Sequence, residues 1–387
     1  MPFDRRVWLE SLALIEAGYA VTVICPMMKG FQKPRETLDN IDIYRHPLPV
    51  EGDTGAFGFL IEYSVAFFWE TWLAWKVFFK HRFHAIHAYN PPDNIFLIGW
   101  MFKLLGVKFV FDQHDINPEL YIAKYGRKDF FYRLMCFLER RTYRTADMVI
   151  STNQSYRNIA MVRGGVPSEK IYIVRSAPDT AKFRSVAPDP ELKRGKPFLV
   201  AYLGVMGKQE GVDLLLQAIR HLLVSMQFKD AHFVLIGGGP EKPHLEKLAD
   251  DYNLSTHLEF TGRIPDAELL TWLSSADVCV NPDRVNEMND KSTMNKIMEY
   301  MAVGKPIVQF ETTEGRYSAA DASLYAKPND PVDFAEKIHA LLMDEGRRET
   351  MGNIGLERMQ NQLDWQYSKS ALLAAYRTIL PLSETAK

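Results

Sequence analysis

The sequence predicts an α/β protein of two doubly wound domains in tandem, each built on a parallel sheet. Three observations lead there. Strand-like and helix-like runs alternate along the chain, the pattern of βαβ units. The alternation pauses once, at a stretch rich in proline and charge, and then restarts. The length, 387 residues, is too great for one comfortable core and suits two. With 47% hydrophobic and 24% charged residues, the chain is globular rather than disordered.

The first domain opens on a helical pattern at residues 6–17, followed by a β-branched run at 19–25. Residues 83–88 read as a strand, 94–105 as a helix, 107–111 as a strand and 130–145 as an amphipathic helix. Strands at 148–151 and 170–174 continue the series. Residues 183–196 mix prolines and glycine with charges, a linker composition. The expected domains are therefore 1–187 and 188–364, with a closing segment at 365–387. Beyond the linker, strands are expected at 198–203, 232–236, 258–260, 278–280 and 306–309. Helices are expected between them at 211–225, 243–251, 266–274 and 293–301. Such a domain normally opens on a strand, and here a helix comes first. The first domain is thus expected to lack its opening strand, either intrinsically or because the chain begins downstream of its natural start.

Charge and cysteine content exclude several function classes. Lys plus Arg number 46 against 48 Asp plus Glu, a net charge of −2, without the basic excess that broad nucleic-acid binding needs. Cys25, Cys136 and Cys279 lie far apart with no Cys-x-x-Cys, which excludes a disulfide scaffold and a cysteine-cluster zinc site and fits a reducing cytosol. No signal-peptide pattern opens the chain. The most apolar stretch, 56–80, is interrupted by Glu62, Glu70 and Lys76, and falls short of the ~20 apolar residues of a spanning helix. It holds ten aromatic residues between Phe57 and Phe79. Two readings stand: a helix packed into the first domain, or one that rests a face on a bilayer, with Lys76, Lys80, His81 and Arg82 meeting anionic headgroups.

Open α/β sheets bind ligands beyond the carboxyl ends of their strands, so chemistry is sought in those loops. Gly237-Gly238-Gly239 follows a strand and precedes a helix, where glycine lets a backbone approach a ligand and a helix N-terminus favours an anion. A dinucleotide fingerprint would need glycine at 242, and Lys242 stands there. In the polar loop 281–292, Asp290, Ser292 or Thr293 could cap the helix that follows. Lys296 and Glu299, three apart, share a face of that helix. They suit phosphates and a ribose diol respectively, or form a surface ion pair. His114 and Asp115 follow the strand end at Asp112-Gln113, as a functional loop or as a polar turn.

These residues also carry a resemblance. Phe260-Thr261-Gly262-Arg263-Ile264-Pro265, Asn281-Pro282 and Glu299-Tyr300-Met301-Ala302-Val303-Gly304-Lys305-Pro306 resemble the family 4 retaining glycosyltransferases. Asp4-Arg5-Arg6-Val7-Trp8-Leu9-Glu10 and Asp112-Gln113-His114-Asp115 extend the likeness to the first domain, and residues 365–380 look like the family's closing helix. Within the family the chain is most similar to transferases of O-antigen, capsule and exopolysaccharide assembly. The resemblance implies the GT-B fold, two facing Rossmann-like domains. It also implies retaining transfer from a nucleotide-diphosphate sugar to a saccharide, carried on a membrane lipid at the cytoplasmic face. His114, Asp115, Lys296 and Glu299 become the implied catalytic residues. The donor is implied to contact Gly204, Lys208, Gly239, Arg263, Ile264, Lys291, Ser292, Thr293 and Met294.

The chain departs from the family pattern in three places. Glu299 matches the second glutamate of Glu-x7-Glu, but Lys291 stands at the first. The family's phosphate-binding Lys-Gly falls on Glu210-Gly211, and Val205 or Met206 lies where an arginine is expected. Glu and Lys have thus exchanged places. Either Lys291 supplies the charge that position 210 lacks, or Lys296 and backbone amides suffice. No Asp-x-Asp is present to hold a metal, so a metal-independent reaction without cofactor is expected, with helix amides and lysine in the cation's role. A nucleotide-sugar epimerase on the same fold and a non-catalytic nucleotide-sugar-binding scaffold are the alternatives.

Overall fold

A computed structural model describes residues 4–28, 30–48 and 55–381. The chain divides into two compact units, Met1–Val174 with Ser368–Lys387, and Arg175–Tyr367.

The first unit starts with helix α1 (Arg5–Glu16), capped by Asp4, whose carboxylate accepts the Arg6 and Val7 amides. Among the described residues no strand precedes it. Strand β1 (Thr22–Pro26) pairs in parallel with β3 (Ile41–His46), and β2 (Arg35–Leu38) pairs antiparallel with β3. The sequence reading has no strands at β2 and β3, whose run is short and half polar. The signal available was Asp39-Asn40, two positive-φ residues forming a tight hairpin turn. The long helix α2 (Gly55–His81) leads to a second sheet of β4 (Ala85–Tyr89), β5 (Lys108–Gln113), β6 (Met148–Ser151) and β7 (Ile171–Ile173), parallel throughout. Helix α3 (Phe96–Lys103) links β4 to β5, α4 (Asn117–Tyr125) and α5 (Phe130–Thr145) link β5 to β6, and α6 (Gln154–Val162) precedes β7. Among the described residues, no strand joins β1 to β4, and β1 pairs with β3 alone.

Alternation along β5 sorts its side chains to two faces. Phe109 and Phe111 pack with Phe78 of α2, Phe102 of α3, Tyr143 of α5 and Ala160 of α6, so these four helices form one layer over the sheet. Gly99 permits the closeness, since a Cβ there would meet the Phe109 ring at 2.4 Å. Asp112 points to the other face, toward α1.

Helix α2 packs into the first unit along one side and exposes aromatic side chains along another. Phe78 is core and Trp75 packs on Phe102 at 4.6 Å between centroids. Phe67 and Trp69 are half-buried, whereas Phe68 (64% exposed), Trp72 (48%) and Phe79 (69%) face solvent. The side chains of Phe57, Phe59 and Tyr63 lie outside the described residues. Among the described residues, no helix is long and apolar enough to cross a membrane.

The second unit is one parallel sheet flanked by helices. In chain order it holds β8 (Phe198–Leu203), α7 (Val212–Arg220), β9 (Ala231–Ile236), α8 (Lys242–Asp251), β10 (Leu258–Gly262), α9 (Asp266–Ser275) and β11 (Val278–Asn281). Then come α10 (Glu287–Lys291), α11 (Asn295–Ala302), β12 (Ile307–Phe310), α12 (Thr313–Ala319), β13 (Ser323–Ala326), α13 (Pro331–Leu342) and α14 (Glu345–Arg358). The strand order is β10-β9-β8-β11-β12-β13. One core lies on each face of the sheet.

The units divide at 174/175, not at 187/188. Phe183 is buried in the second unit's core, the Pro178 carbonyl accepts the Trp365 amide, and Asp364 accepts the Thr180 hydroxyl. The proline-rich stretch is therefore folded onto the second unit, where Ser274 and Ser275 accept the Val186 and Asp189 amides. The closing helix α15 (Trp365–Ile379) belongs to the first unit from Ser368 onward, where Tyr376 bonds His87.

Candidate active site

In the second unit the strand order reverses between β8 and β11, the crevice where doubly wound sheets take ligands. All six strands are parallel, so the loops after β8, β9, β10 and β11 open on one edge. Gly204 follows β8 with φ of 159°, and a Cβ there would meet the Tyr202 hydroxyl at 2.8 Å and Lys296 Cε at 3.2 Å. The β9 loop packs backbone to backbone against it. A Cβ on Gly237 would fall 1.9 Å from the Gly204 carbonyl oxygen, and one on Gly239 2.4 Å from that of Met206. Only glycine fits these positions.

Lys296 reaches the switch point from α11. Its ammonium donates to Asp283 Oδ1 at 2.9 Å and Oδ2 at 3.2 Å, and lies 5.0 Å from the Tyr202 ring centroid. Burial opposes its charge, but Asp283 and Tyr202 outweigh burial and hold the lysine above its ordinary range. Burial pushes the Asp283 carboxyl up against the pull of Lys296, and Glu210 is likewise raised, by burial and then by Asp283. The lysine charge is thus matched inside the protein before any ligand arrives. Asp283 was missed in the sequence, although Asn281-Pro282-Asp283 at a strand end was its available signal.

The helix start differs from the expected one. Residues 287–291 form the separate turn α10, and α11 begins at Asn295 with Met294 at its cap and no side-chain cap bond. Asp290 instead accepts the Thr313 amide and hydroxyl, at 2.8 and 3.0 Å, and Ser292 donates to the Met288 carbonyl. Thr293 lies 3.4 Å from Arg175. Met294 thus gives the first α11 amides no side-chain cap, and uncapped helix amides are the kind of donors that suit an anion. Lys291 pairs with Glu287 at 2.8 Å, one turn back on α10. Glu299 is half-buried one turn beyond Lys296, Lys208 and Arg263 are exposed at the loop rims, and Ile264 packs at the core edge.

The first unit has its own buried polar cluster at the carboxyl ends of β4 and β5. Arg6 grips Asp112 with two nitrogens, at 2.8 and 3.2 Å, and donates to the Val174 carbonyl at 2.6 Å. Arg6 also lies 3.1 Å from Glu10, which accepts the Tyr89 hydroxyl at 3.0 Å. Burial works against the Asp112 charge, but Arg6 and then His114 overcome it and hold that carboxyl well below its usual range. Burial pushes the Glu10 carboxyl well up, against the pull of Arg6, and pushes the His87 imidazole down. Glu10, His87 and Asp112 could jointly face a metal ion, yet the Arg6 guanidinium already fills the cation's place. Arg6 and Asp112 were read only as part of motifs.

His114 stands on this cluster, its Nε2 3.8 Å from Asp112 Oδ2 and its ring edge-on to Tyr89 at 4.9 Å. Asn90 fixes the loop: its Oδ1 accepts the His114 and Asp115 amides, at 2.8 and 3.2 Å, and its amide donates to the Asp115 carbonyl at 2.8 Å. The Asp115 side chain is exposed.

Two family models match the chain: "Glycosyltransferase Family 4" over residues 5–182 and "Glycosyl transferases group 1" over residues 197–344. The chain belongs to the family 4 glycosyltransferases. Sulfoquinovosyl transferase SQD2 of Arabidopsis thaliana is 26% identical over 73% of this glycosyltransferase and 54% of its own length. Across the first curated relatives the chain spans 44–70% of their lengths. Among solved structures, sucrose-phosphate synthase of Thermosynechococcus elongatus superposes with a TM-score of 0.76 at 21% identity, covering 98% of this chain and 94% of that one. Anabaena HepE in complex with UDP and glucose gives 0.66 at 15% identity, covering 88% and 87%. The shared fold is GT-B, built from two Rossmann-like units.

Proposed function

We propose that this glycosyltransferase moves a sugar, with retention, from a nucleotide-diphosphate donor to a saccharide acceptor in polysaccharide assembly. The observation that carries the reading is the switch point of the second unit. Glycine loops 204–207 and 237–239 and the uncapped start of α11 with Lys296 lie at one sheet edge, Glu299 follows one turn along α11, and together they supply what a nucleoside diphosphate needs. Amides and a lysine answer the negative charge that develops on the leaving diphosphate, and a carboxylate answers the ribose diol. HepE, bound to UDP and glucose, makes uridine donors the first to test.

In this mechanism α11 is the electrostatic element, and no metal is required. Asp283 holds Lys296 in place until the diphosphate competes for it. In the first unit, Asn90 holds the His114 loop and Asp112 lies 3.8 Å from the imidazole; a role for His114 at the donor sugar is what the family likeness implies. The leaving diphosphate takes the acceptor proton. A lipid-linked acceptor is supported by the family likeness and by the exposed edge of α2, where Phe68, Trp72 and Phe79 lie beside Lys76. The test is a panel of nucleotide sugars, scored by thermal shift and by release of free nucleotide with a saccharide acceptor. Release establishes transfer, interconverted sugar identifies an epimerase, and stabilisation without turnover identifies a scaffold.

A further inference from the structure

Helix α5 is built inside out. Its buried residues are Glu139, Thr142 and Tyr143, and Glu139 is held there by Arg163, 2.5 Å away. Its outward face carries Phe130 (72% exposed), Phe131, Leu134 and Phe137 (54%). An ordinary surface helix shows the reverse pattern. Phe130, Leu134, Phe137, Arg141 and Arg144 follow one another at spacings of four and three, so they form a single stripe. Its first half is apolar and its second half cationic.

The charge around the stripe is one-sided. Between residues 124 and 145 stand Lys124, Arg127, Lys128, Arg133, Arg140, Arg141 and Arg144, against only Asp129 and Glu139. Glu139 is buried, and Asp129 caps α5 and pairs with Arg127. Arg133, Arg140 and Arg144 are exposed and form no ion pair among the described residues. This basic face belongs to a chain whose net charge is −2. Helix α5 also lies in the same layer as α2 and α3, and Trp100 of α3 and Leu104 just after it are likewise exposed.

From this geometry we infer that the outward face of α5 docks on a bilayer containing anionic lipid. The phenylalanines enter the headgroup boundary and the arginines meet lipid phosphates. The inference rests on the proposed work at a membrane and adds a surface other than α2. A polyanion such as RNA would match the arginines but leave the four apolar side chains in water.

Flotation of the full chain with phosphatidylcholine vesicles, with and without phosphatidylglycerol, tests it. Binding is expected only with phosphatidylglycerol, and it should weaken as salt rises. Arg140→Glu with Arg144→Glu should lower it by roughly tenfold or more. Phe130→Ser with Phe137→Ser should abolish the salt-resistant remainder. These positions are exposed, so unchanged thermal unfolding confirms each fold. Equal binding to neutral vesicles overturns the proposal. So does vesicle binding that survives both α5 pairs and is lost on Trp72→Ala, or binding to an RNA oligonucleotide but to no vesicle. Nucleotide-sugar turnover without vesicles reports on the enzymatic reading separately.

Discussion

Lys296 and Asp283 form a buried pair at the switch point proposed here for the donor diphosphate. Breaking such a pair strands one charge out of water. Asp283→Asn should therefore destabilise the chain by about 3–5 kcal/mol, measured by urea unfolding; a loss under ~1 kcal/mol would mean that Glu210 replaces it as counter-ion. Glu299→Ala should weaken nucleotide binding by roughly 1–3 kcal/mol if its carboxylate holds the ribose. Calorimetry showing unchanged affinity would remove Glu299 from the site. His114 lies in the other unit, so His114→Ala should lower turnover by roughly 100-fold or more while the nucleotide-induced thermal shift persists.

Helix α2 has a polar fault line within its aromatic surface. Glu70 is half-buried, burial pushes its carboxyl up to about 7, and its Oε2 has no hydrogen-bond partner among the described residues. The folded state therefore binds this proton more tightly than the unfolded chain, whose reference value is 4.5. Stability from this group is fully present below about 4.5 and is lost as pH rises through about 7. Glu70→Gln should flatten that part of the pH–stability curve; a curve that still falls in parallel would place the titration elsewhere. The paired glycine loops after β8 and β9 make a second case. Gly239→Ala drives a Cβ into the Met206 backbone, so the loops must part and nucleotide stabilisation should disappear even where the fold survives.

At the scale of the whole molecule, the proposed source of leaving-group stabilisation is α11 and lysine rather than a bound cation. Turnover should then persist in EDTA. Activity lost to the chelator and restored by magnesium or manganese would show that the carboxylates near Lys296 recruit a metal. The division at 174/175 matters to any such assay. A fragment cut at 187/188 would separate Phe183 and Thr180 from the core residues and Asp364 that hold them.

The alternation of strands and helices was legible in the sequence because periodicity is a local property, whereas the GT-B class and the family were legible only through the resemblance of motifs such as residues 260–265 and 299–306. The positions of His114, Lys296 and the glycine loops beside strand and helix ends were legible for the same local reason. The partners were not. Nothing along the chain pairs Arg6 with Asp112, 106 residues away, or assigns Asp290 to cap α12 rather than α11. Nor could periodicity show that the amphipathic pattern of α5 turns its apolar side outward. A helical stripe records which residues share a face, whereas the direction of that face depends on what the sheet beneath offers. Here Arg163 at the end of α6 and the Asp93 carbonyl in the turn after β4 partner Glu139 and Thr142, and burying these polar groups with partners leaves the phenylalanines in water.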